Sequence, residues 1–213
     1  MSGGRPDAPA TRVAAFDVDG TVTTRDCVVP FMRRVTGARR IVPRLGLGAR
    51  DLAPAVARRD RDRVKALAAA AAFRGHRHAE LEVAGASFAR DVHARWLRPD
   101  VVASLDHHRS LGDATVLVSA SFEVYLRPLA ELLGVDEVLA TRLEVVDGVV
   151  TGRLDGDNCR GPEKVRRLHA WLADAHGGRD AVHVEAYGDS VGDRELLADA
   201  DVAHWVRPGG GAP

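Results

Sequence analysis

A short apolar run that ends in two acidic residues constrains the fold of this chain more than any other feature. Residues 13–16 read Val-Ala-Ala-Phe, and the pentad Asp17-Val18-Asp19-Gly20-Thr21 follows directly. Such a run predicts a buried strand, and open α/β sheets bind ligands just beyond the carboxyl ends of their strands. Two carboxylates at this edge repel each other unless a cation lies between them. The pentad therefore indicates a hard metal such as Mg²⁺, held by oxygen ligands.

The residues after the pentad exclude one alternative and leave a second one open. An EF-hand calcium loop starting at Asp17 would need glycine at position 22 and glutamate at position 28, but Val22 and Val28 occupy these positions. A solvated acidic turn is compatible with the pentad alone. The choice between a metal site and a solvated turn therefore depends on the rest of the chain.

Three further segments carry the residue types that a phosphoryl-transfer site needs. They are Val116-Leu117-Val118-Ser119-Ala120-Ser121, Gly161-Pro162-Glu163-Lys164 and, after the apolar stretch 181–186, Tyr187-Gly188-Asp189-Ser190-Val191-Gly192-Asp193. Their hydroxyl, ammonium and carboxylate groups all lie at a strand end or a helix start. Positive charge and helix N-termini hold phosphate oxygens, while a metal neutralises the charge that develops during transfer.

Together with the pentad, these segments resemble the four motifs of the haloacid dehalogenase (HAD) superfamily, in the order and spacing of that family. The resemblance covers nearly the whole chain. The form Asp-Val-Asp-Gly-Thr-Val-Thr, the ending Gly-Asp-Ser-Val-Gly-Asp and the insert after the first motif are similar to subfamily IB, which includes phosphoserine phosphatases. The resemblance implies an α/β fold with a doubly wound, Rossmann-like parallel sheet and an inserted helical cap. It also implies a phosphoric monoester hydrolase.

The resemblance assigns the chemistry to the acidic residues. Asp17 matches the nucleophile that forms an aspartyl-phosphate, and Asp19 matches the acid/base that protonates the leaving oxygen and then activates water. Asp189 matches a Mg²⁺ ligand, together with Asp17 and the main-chain carbonyl of Asp19. Asp193 matches a residue that steadies the metal-bound waters and a lysine.

The resemblance also assigns the binding of the phosphate group. Ser119, Ala120 and Lys164 match the phosphate-binding positions. The composition supports the lysine separately, because 28 of the 30 basic residues are Arg and only Lys65 and Lys164 are Lys. A chain that otherwise uses arginine is expected to place a lysine where a compact point charge is needed instead of a planar fork.

The identity of the substrate is less constrained than the chemistry. Asp26 falls where phosphoserine phosphatases carry an acidic residue that binds the substrate amine, which favours an amino-phosphate. The arginine that those enzymes use for the substrate carboxylate aligns with the alanine-rich run 66–72, where Lys65 or Arg74 would have to replace it. Phosphoserine, histidinol phosphate, another small phosphate ester and a lipid-derived phosphomonoester therefore stay open.

Residues 25–96 form an insert whose charge differs from that of the rest of the chain. The insert holds 16 Lys and Arg residues against 7 Asp and Glu residues, although the whole chain sums to zero. A basic insert could steer anionic phosphates inward, could be merely solvated, or could contact an anionic membrane through Arg33-Arg34 and Arg39-Arg40. We expect a catalytic core of residues 1–24 and 97–213 and a helical cap of residues 25–96.

The hydrophobic periods predict strands alternating with helices. Strands are expected over 13–17 and 114–119, and Asp147-Gly148 predicts a hairpin turn. Pro99 opens a helix, and Gly209-Gly210-Gly211 is expected to form a flexible tail. Further helices are predicted over residues 26–36, 60–74, 79–96 and 122–133.

The spacing of cysteine, histidine and tryptophan residues argues against several other kinds of site. Two isolated cysteines, Cys27 and Cys159, form neither a disulfide framework nor a metal cluster. The neighbouring side chains of Asp106-His107-His108 diverge on a helix and cannot easily share a metal. The tryptophans are too dispersed for a nucleic-acid stacking platform, and we expect them to pack in the core or at the cap seam: Trp96, Trp171 and Trp205.

We therefore predict a cytoplasmic, Mg²⁺-dependent phosphatase that hydrolyses a small phosphate ester through an aspartyl-phosphate. The cytoplasmic location rests on an N-terminus without a signal-peptide apolar region and on apolar stretches too short to span a membrane. A phosphotransferase with the same chemistry is one alternative. Another is a non-catalytic phosphate-binding or membrane-associated regulatory protein on a HAD scaffold, against which the intact pair Asp17 and Asp19 argues.

Overall fold

A six-stranded sheet with the strand order β4-β3-β2-β1-β5-β6 organises the molecule. The computed structural model describes residues 11–37, 54, 56–57 and 61–207, so the predicted glycine tail and part of the basic insert lie outside the described residues. Only β3 and β4 pair antiparallel; the other neighbours are parallel. The strands are β1 (Thr11–Phe16), β2 (Ala114–Phe122), β3 (Glu137–Val146), β4 (Val149–Asp155), β5 (Val182–Gly188) and β6 (Val202–Trp205).

Helices precede and follow these strands along the chain, as the alternating periods predict. They are α1 (Val28–Thr36), α2 (Arg61–Phe73), α3 (His78–Arg95), α4 (Pro99–Leu111), α5 (Glu123–Leu133), α6 (Pro162–Ala175) and α7 (Arg194–Asp199), with 3₁₀ turns at Arg179–Ala181 and Val191–Asp193. The predicted helices begin and end within two residues of these bounds. The prediction of a doubly wound α/β fold is confirmed.

The register of the central strands brings the sequence motifs to one edge of the sheet. Phe16 of β1 pairs with Leu117 of β2 on one side and with Tyr187 of β5 on the other. Because all three strands are parallel, Asp17, Ser119 and Asp189 follow within two residues of this level. The carboxyl ends of β2, β1 and β5 therefore form the floor of a common site.

Two local features refine the predicted elements. Strand β2 continues three residues beyond the predicted end at Ser119, and its register against β3 shifts between Ser119 and Phe122. Such a bulge re-aims side chains at a strand end. The predicted hairpin is also present, since Asp147 and Gly148 have φ values of 51° and 75°, which is the left-handed backbone of a tight turn between β3 and β4.

The hydrophobic core lies on both faces of the sheet. One cluster combines the sheet with α1–α5, and its aromatic centre is formed by Phe31, Phe73, Phe88, Phe122 and Tyr125. A second cluster packs α6 and α7 on the opposite face. Helices of the basic insert thus share an aromatic core with β2 and α5. The division of the chain into a core and a cap at residues 25 and 96 stays a prediction.

The tryptophans do not all lie where the sequence predicts. Trp96 packs edge-on against Phe88 with ring centroids 5.5 Å apart, and Trp171 packs against the second cluster. The prediction is wrong for Trp205, which is 52% exposed because it ends the edge strand β6. Cys27 and Cys159 are both free cysteines with buried side chains. Among the described residues, no helix combines the length and apolar character that crossing a bilayer requires.

Candidate active site

Lys164 is the buried centre of the cluster at the carboxyl edge of the sheet. Its Nζ donates hydrogen bonds of 2.6 Å each to Asp17 Oδ1 and Asp193 Oδ1. The side chain is fully enclosed, with 1% of the residue exposed. Lys164 lies in the first turn of α6, which begins at Pro162 directly after Gly161, a residue with a φ of 57°. Pro is well suited to this position because the first helical N–H needs no intrahelical partner.

Burial and pairing act in opposite directions on this cluster. Burial alone would lower the pKa of Lys164, but Asp17 and Asp193 raise it, so the ammonium stays charged. Burial raises the pKa of Asp17 above its ordinary value, and Lys164 opposes that shift. For Asp193 burial also opposes ionisation, yet Lys164 prevails and lowers the pKa. One buried ammonium therefore lies between two acidic side chains, of which Asp193 is favoured in its ionised form and Asp17 is not.

A third carboxylate, from Asp189, completes an acidic pocket. Carboxylate oxygens of Asp17, Asp189 and Asp193 all lie within 4.8 Å of one another. Burial raises the pKa of Asp189, and the negative charge of Asp193 adds to this effect. Thr21 Oγ1 donates to Asp17 Oδ2 at 3.1 Å and lies 3.5 Å from Asp189 Oδ1. Three carboxylates without a thiolate or an imidazole are a donor set that fits a hard divalent cation such as Mg²⁺.

Gly20 is required by the close approach of the acidic pentad to Asp189. The residue has a φ of 89°, and a Cβ atom added there would lie 2.2 Å from Asp189 Oδ2. Any side chain would therefore displace the carboxylate as well as strain the backbone. The glycine of the pentad allows the two acidic strand ends to meet.

Asp19 has a different set of partners from Asp17. Its Oδ1 accepts the backbone N–H of Cys27 at 2.8 Å, and its Oδ2 accepts the hydroxyl of Ser121 at 2.5 Å. Burial raises the pKa of Asp19, and the Ser121 hydrogen bond opposes the shift. The two carboxylates of the pentad are thus separated: Asp17 belongs to the lysine cluster, and Asp19 faces α1 and the end of β2.

The predicted phosphate-binding positions 119 and 120 lie in the bulge of β2. Ser119 is buried, and its Oγ accepts the N–H of Ser121 at 3.1 Å. The carbonyl of Ala120 accepts the hydroxyl of Thr141 at 2.9 Å and a hydrogen bond from Lys65 Nζ. The peptide between residues 120 and 121 is therefore fixed at both its carbonyl and its N–H group.

Lys65 has a structural set of partners. Besides Ala120, its Nζ donates to Thr141 Oγ1 at 3.0 Å and to Asn158 Oδ1 at 2.6 Å. Three acceptors use all three protons of the ammonium. Burial lowers the pKa of Lys65 to about 7, while the charge of Asp19 opposes this shift. The contacts join α2 of the insert to three segments of the sheet side.

The other residues considered for substrate recognition lie at the surface. Asp26 is exposed, and its carboxylate accepts the N–H groups of Val28 and Val29 at 3.3 Å and 3.1 Å, in the first turn of α1. Arg74 is also exposed, and its Nε donates to the carbonyl of Thr151. Neither residue contacts the lysine cluster, and their part in substrate binding stays a prediction.

Several residues of the site lie within the sequence motifs but have no predicted role. Thr21 contacts Asp17 and Asp189, while Ser190 donates to Asp193 Oδ2 through its hydroxyl at 2.7 Å and its N–H at 2.9 Å. Ser190 directly follows Asp189, and Thr21 lies two residues after Asp19, so a hydroxyl close to a strand-end acid is the signal that could have identified them. Ser121 is a second hydroxyl at the end of the apolar run 116–118, whereas nothing in the local sequence of Tyr125 indicates a role in the site.

Comparison with known proteins agrees with this geometry. A profile of the haloacid dehalogenase-like hydrolase family matches residues 14–198. The chain belongs to this family. The predictions of the HAD superfamily, of its fold and of an enzyme of this hydrolase family are confirmed. The chain is 38% identical over 194 residues to Protein CicA of Caulobacter vibrioides, and the match covers 89% of this chain and 83% of that protein.

Shorter matches and solved structures extend the comparison within the HAD family. A phosphoserine phosphatase of Streptococcus thermophilus is 33% identical over 98 residues, which is 46% of this chain and 45% of that protein. A histidinol-phosphatase of Neisseria meningitidis is 30% identical over 118 residues, or 53% of each chain. The crystal structure of a Bordetella pertussis protein of unknown function superposes with a TM-score of 0.71 at 28% identity, covering 88% of this chain and 86% of that one.

Proposed function

We propose that this HAD hydrolase is a Mg²⁺-dependent phosphatase that forms an aspartyl-phosphate at Asp17 and hydrolyses it with the help of Asp19. The observation that carries the proposal is the separation of the two pentad carboxylates. Asp17 accepts a hydrogen bond from Lys164 inside the acidic pocket, whereas Asp19 accepts its hydrogen bonds from Cys27 and Ser121. Two carboxylates in different environments are what a nucleophile and a separate acid/base need.

In the first step, a carboxylate oxygen of Asp17 attacks phosphorus and the ester oxygen leaves. Thr21 and Lys164 each donate to one oxygen of this carboxylate, which orients it before the substrate arrives. Bound Mg²⁺ would supply positive charge that favours the ionised carboxylate and the phosphate oxygens together. Asp17, Asp189 and the main-chain carbonyl of Asp19 are the ligands we propose, with Asp193 holding Lys164 and the metal-bound waters.

In the second step, water replaces the aspartyl oxygen on phosphorus. Asp19 gives its proton to the leaving oxygen in the first step and is then the carboxylate that takes a proton from the attacking water. Ser119, Ala120 and Lys164 are the groups proposed to hold the phosphate oxygens. Splitting one displacement into two is the general advantage of a covalent intermediate.

The substrate we propose is a small phosphate ester made in metabolism. Support comes from the matched relatives that are named phosphoserine phosphatase and histidinol-phosphatase, because phosphoserine and histidinol phosphate are both phosphate esters that carry an amine. The exposed carboxylate of Asp26 at the start of α1 is the group proposed to bind such an amine. The cytoplasmic location and the cap formed by residues 25–96 belong to the same proposal.

A phosphatase assay with and without Mg²⁺ tests the proposed function. We expect phosphate release from p-nitrophenyl phosphate that requires Mg²⁺ and is lost when EDTA removes the metal. Asp17→Asn removes the nucleophile and a metal ligand together, so turnover should fall below detection. The matched control is Asp106→Asn, an exposed carboxylate on α4 that pairs only with the neighbouring Arg109 among the described contacts. Activity in Asp17→Asn protein equal to that of the control would contradict the proposal.

A further inference from the structure

Two buried hydroxyl groups lie in series behind Asp19. Tyr125 Oη donates to Ser121 Oγ at 2.6 Å, and Ser121 Oγ donates to Asp19 Oδ2 at 2.5 Å. Ser121 and Tyr125 are both fully enclosed, with 0% and 1% of their surface exposed. Tyr125 follows Ser121 by four residues, in the first turn of α5. Because the hydroxyls have no access to water, this order of donors is the one that satisfies both of them and the carboxylate.

The hydrogen bond from Ser121 restricts rotation of the Asp19 carboxylate about χ2. The carboxylate of an aspartate rotates about χ2 in a broad, roughly two-fold well. Here the N–H of Cys27 holds Oδ1 at 2.8 Å and the Ser121 hydroxyl holds Oδ2. Donors from two different segments, the start of the insert and the end of β2, therefore define the plane of the Asp19 carboxylate.

The hydroxyl of Tyr125 is not needed for packing. Its ring lies among the rings of Phe31 and Phe88, with centroids 4.8 Å and 5.3 Å away, so a phenylalanine would fill the same space. Burial also raises the pKa of Tyr125 well above its ordinary value, so the phenol keeps its proton and acts as a donor. A polar group among apolar rings persists at a cost unless it has a partner, and Ser121 is that partner.

We infer that Ser121 and Tyr125 are positioning residues that orient the Asp19 carboxylate for proton transfer. The inference rests on the proposed function, in which Asp19 protonates the leaving oxygen. The proton that reaches the leaving oxygen comes from Asp19, and the two hydroxyls keep their own. Ser121 acts directly on the carboxylate, whereas Tyr125 acts only through Ser121.

The test compares two esters that differ in their need for protonation. Phenyl phosphate has a poor leaving group and depends on the general acid, while p-nitrophenyl phosphate depends on it little. We expect Ser121→Ala to lower kcat/KM on phenyl phosphate about 10-fold to 100-fold, the scale of a small misplacement of a catalytic group, and to lower it less on p-nitrophenyl phosphate. Tyr125→Phe should show the same selectivity with a smaller loss.

The double variant and a matched control separate positioning from general damage. Because Tyr125 acts through Ser121, adding Tyr125→Phe to Ser121→Ala should cause no further loss. Tyr187→Phe removes the other tyrosine hydroxyl, which lies 2.9 Å from His108 Nε2 and is not a partner of Asp19 or Ser121. This control should change kcat/KM on both esters equally. If Ser121→Ala does not fold, the selectivity of Tyr125→Phe decides the matter.

The outcomes distinguish this inference from the proposed function. Equal losses on both esters, or additive losses in the double variant, would overturn the positioning role while leaving the phosphatase intact. A wild-type protein that hydrolyses neither ester in Mg²⁺ would overturn the proposed function and the inference together. A leaving-group-dependent loss in both single variants supports the inference.

Discussion

Asp17 and Asp19 illustrate at the scale of single residues how position creates function. They are separated by one residue, yet one carboxylate lies 2.6 Å from an ammonium and the other accepts a hydroxyl and an amide N–H. Identical side chains thereby obtain different electrostatic surroundings. The sequence predicts that the pair belongs to a metal or phosphate site. The difference between the surroundings of the two carboxylates depends on Lys164, which lies 147 residues from Asp17 along the chain.

Replacing Lys164 by arginine tests whether this position needs a compact charge. The buried pocket fits an ammonium between two carboxylates, and a planar guanidinium of larger volume should displace Asp17. We expect kcat/KM to fall by about 10²-fold or more, the typical cost of losing one preorganised donor, with the fold retained by circular dichroism. Arg166→Lys, on the same helix and with a side chain 67% exposed, is the control. Wild-type kcat/KM in Lys164→Arg protein would show that the ammonium is not part of the site.

Helix α6 shows at the scale of an element how a site residue is supported. Its first turn carries Glu163 beside Lys164, and the Glu163 carboxylate accepts hydrogen bonds of 2.6–2.7 Å from Arg166 and Arg167. A negative charge in the first turn also interacts favourably with the helix dipole. These hydrogen bonds to Arg166 and Arg167 lower the pKa of Glu163 to about 2.

Glu163→Gln should therefore destabilise the protein in a pH-dependent way. The folded pKa lies below the ordinary value of 4.5, so the stabilisation is present above about pH 5 and is lost as the pH falls toward 2. Because Arg166 is exposed, we expect no more than about 1 kcal/mol in the free energy of unfolding at neutral pH. Urea denaturation at about pH 7 and pH 3 measures the difference from wild type, with the exposed Glu131→Gln as control. A difference that stayed constant or grew on acidification would contradict the assigned pKa.

The elements themselves follow closely from the sequence, and the exceptions have physical reasons. Helix ends at Pro, Gly and polar residues fall within two residues of their predicted positions. Strand β2 runs past its predicted end because hydrogen bonds to β3 resume after the bulge at Ser119. The sequence offers Lys65 as a substrate ligand, but its partners Ala120, Thr141 and Asn158 lie 55, 76 and 93 residues away along the chain. Local pattern contains no information about such long-range acceptors.

At the scale of the whole molecule, the basic insert and the sheet form one packed unit within the described residues. Phe31 and Phe73, which lie in the insert, pack with Phe122 and Tyr125 at the end of β2 and the start of α5. The same segment holds Ser119 and Ser121. The charge contrast of the insert is visible in the sequence, whereas this aromatic contact is not, because any of the aromatic residues could have packed elsewhere. Reaction site and insert therefore share their supporting core.

The covalent intermediate at Asp17 is the central claim, and mass spectrometry of Asp19→Asn protein tests it most directly. The variant keeps the nucleophile and loses the general base, so an activated aryl phosphate should still phosphorylate it while hydrolysis slows by about 10²–10⁴-fold. After a brief reaction in Mg²⁺ and an acid quench, the intact protein should carry the mass of one phosphoryl group, removable by hydroxylamine and located at Asp17. The double variant with Asp17→Asn should carry none. Turnover by Asp19→Asn protein without any accumulation of that species would contradict the covalent mechanism.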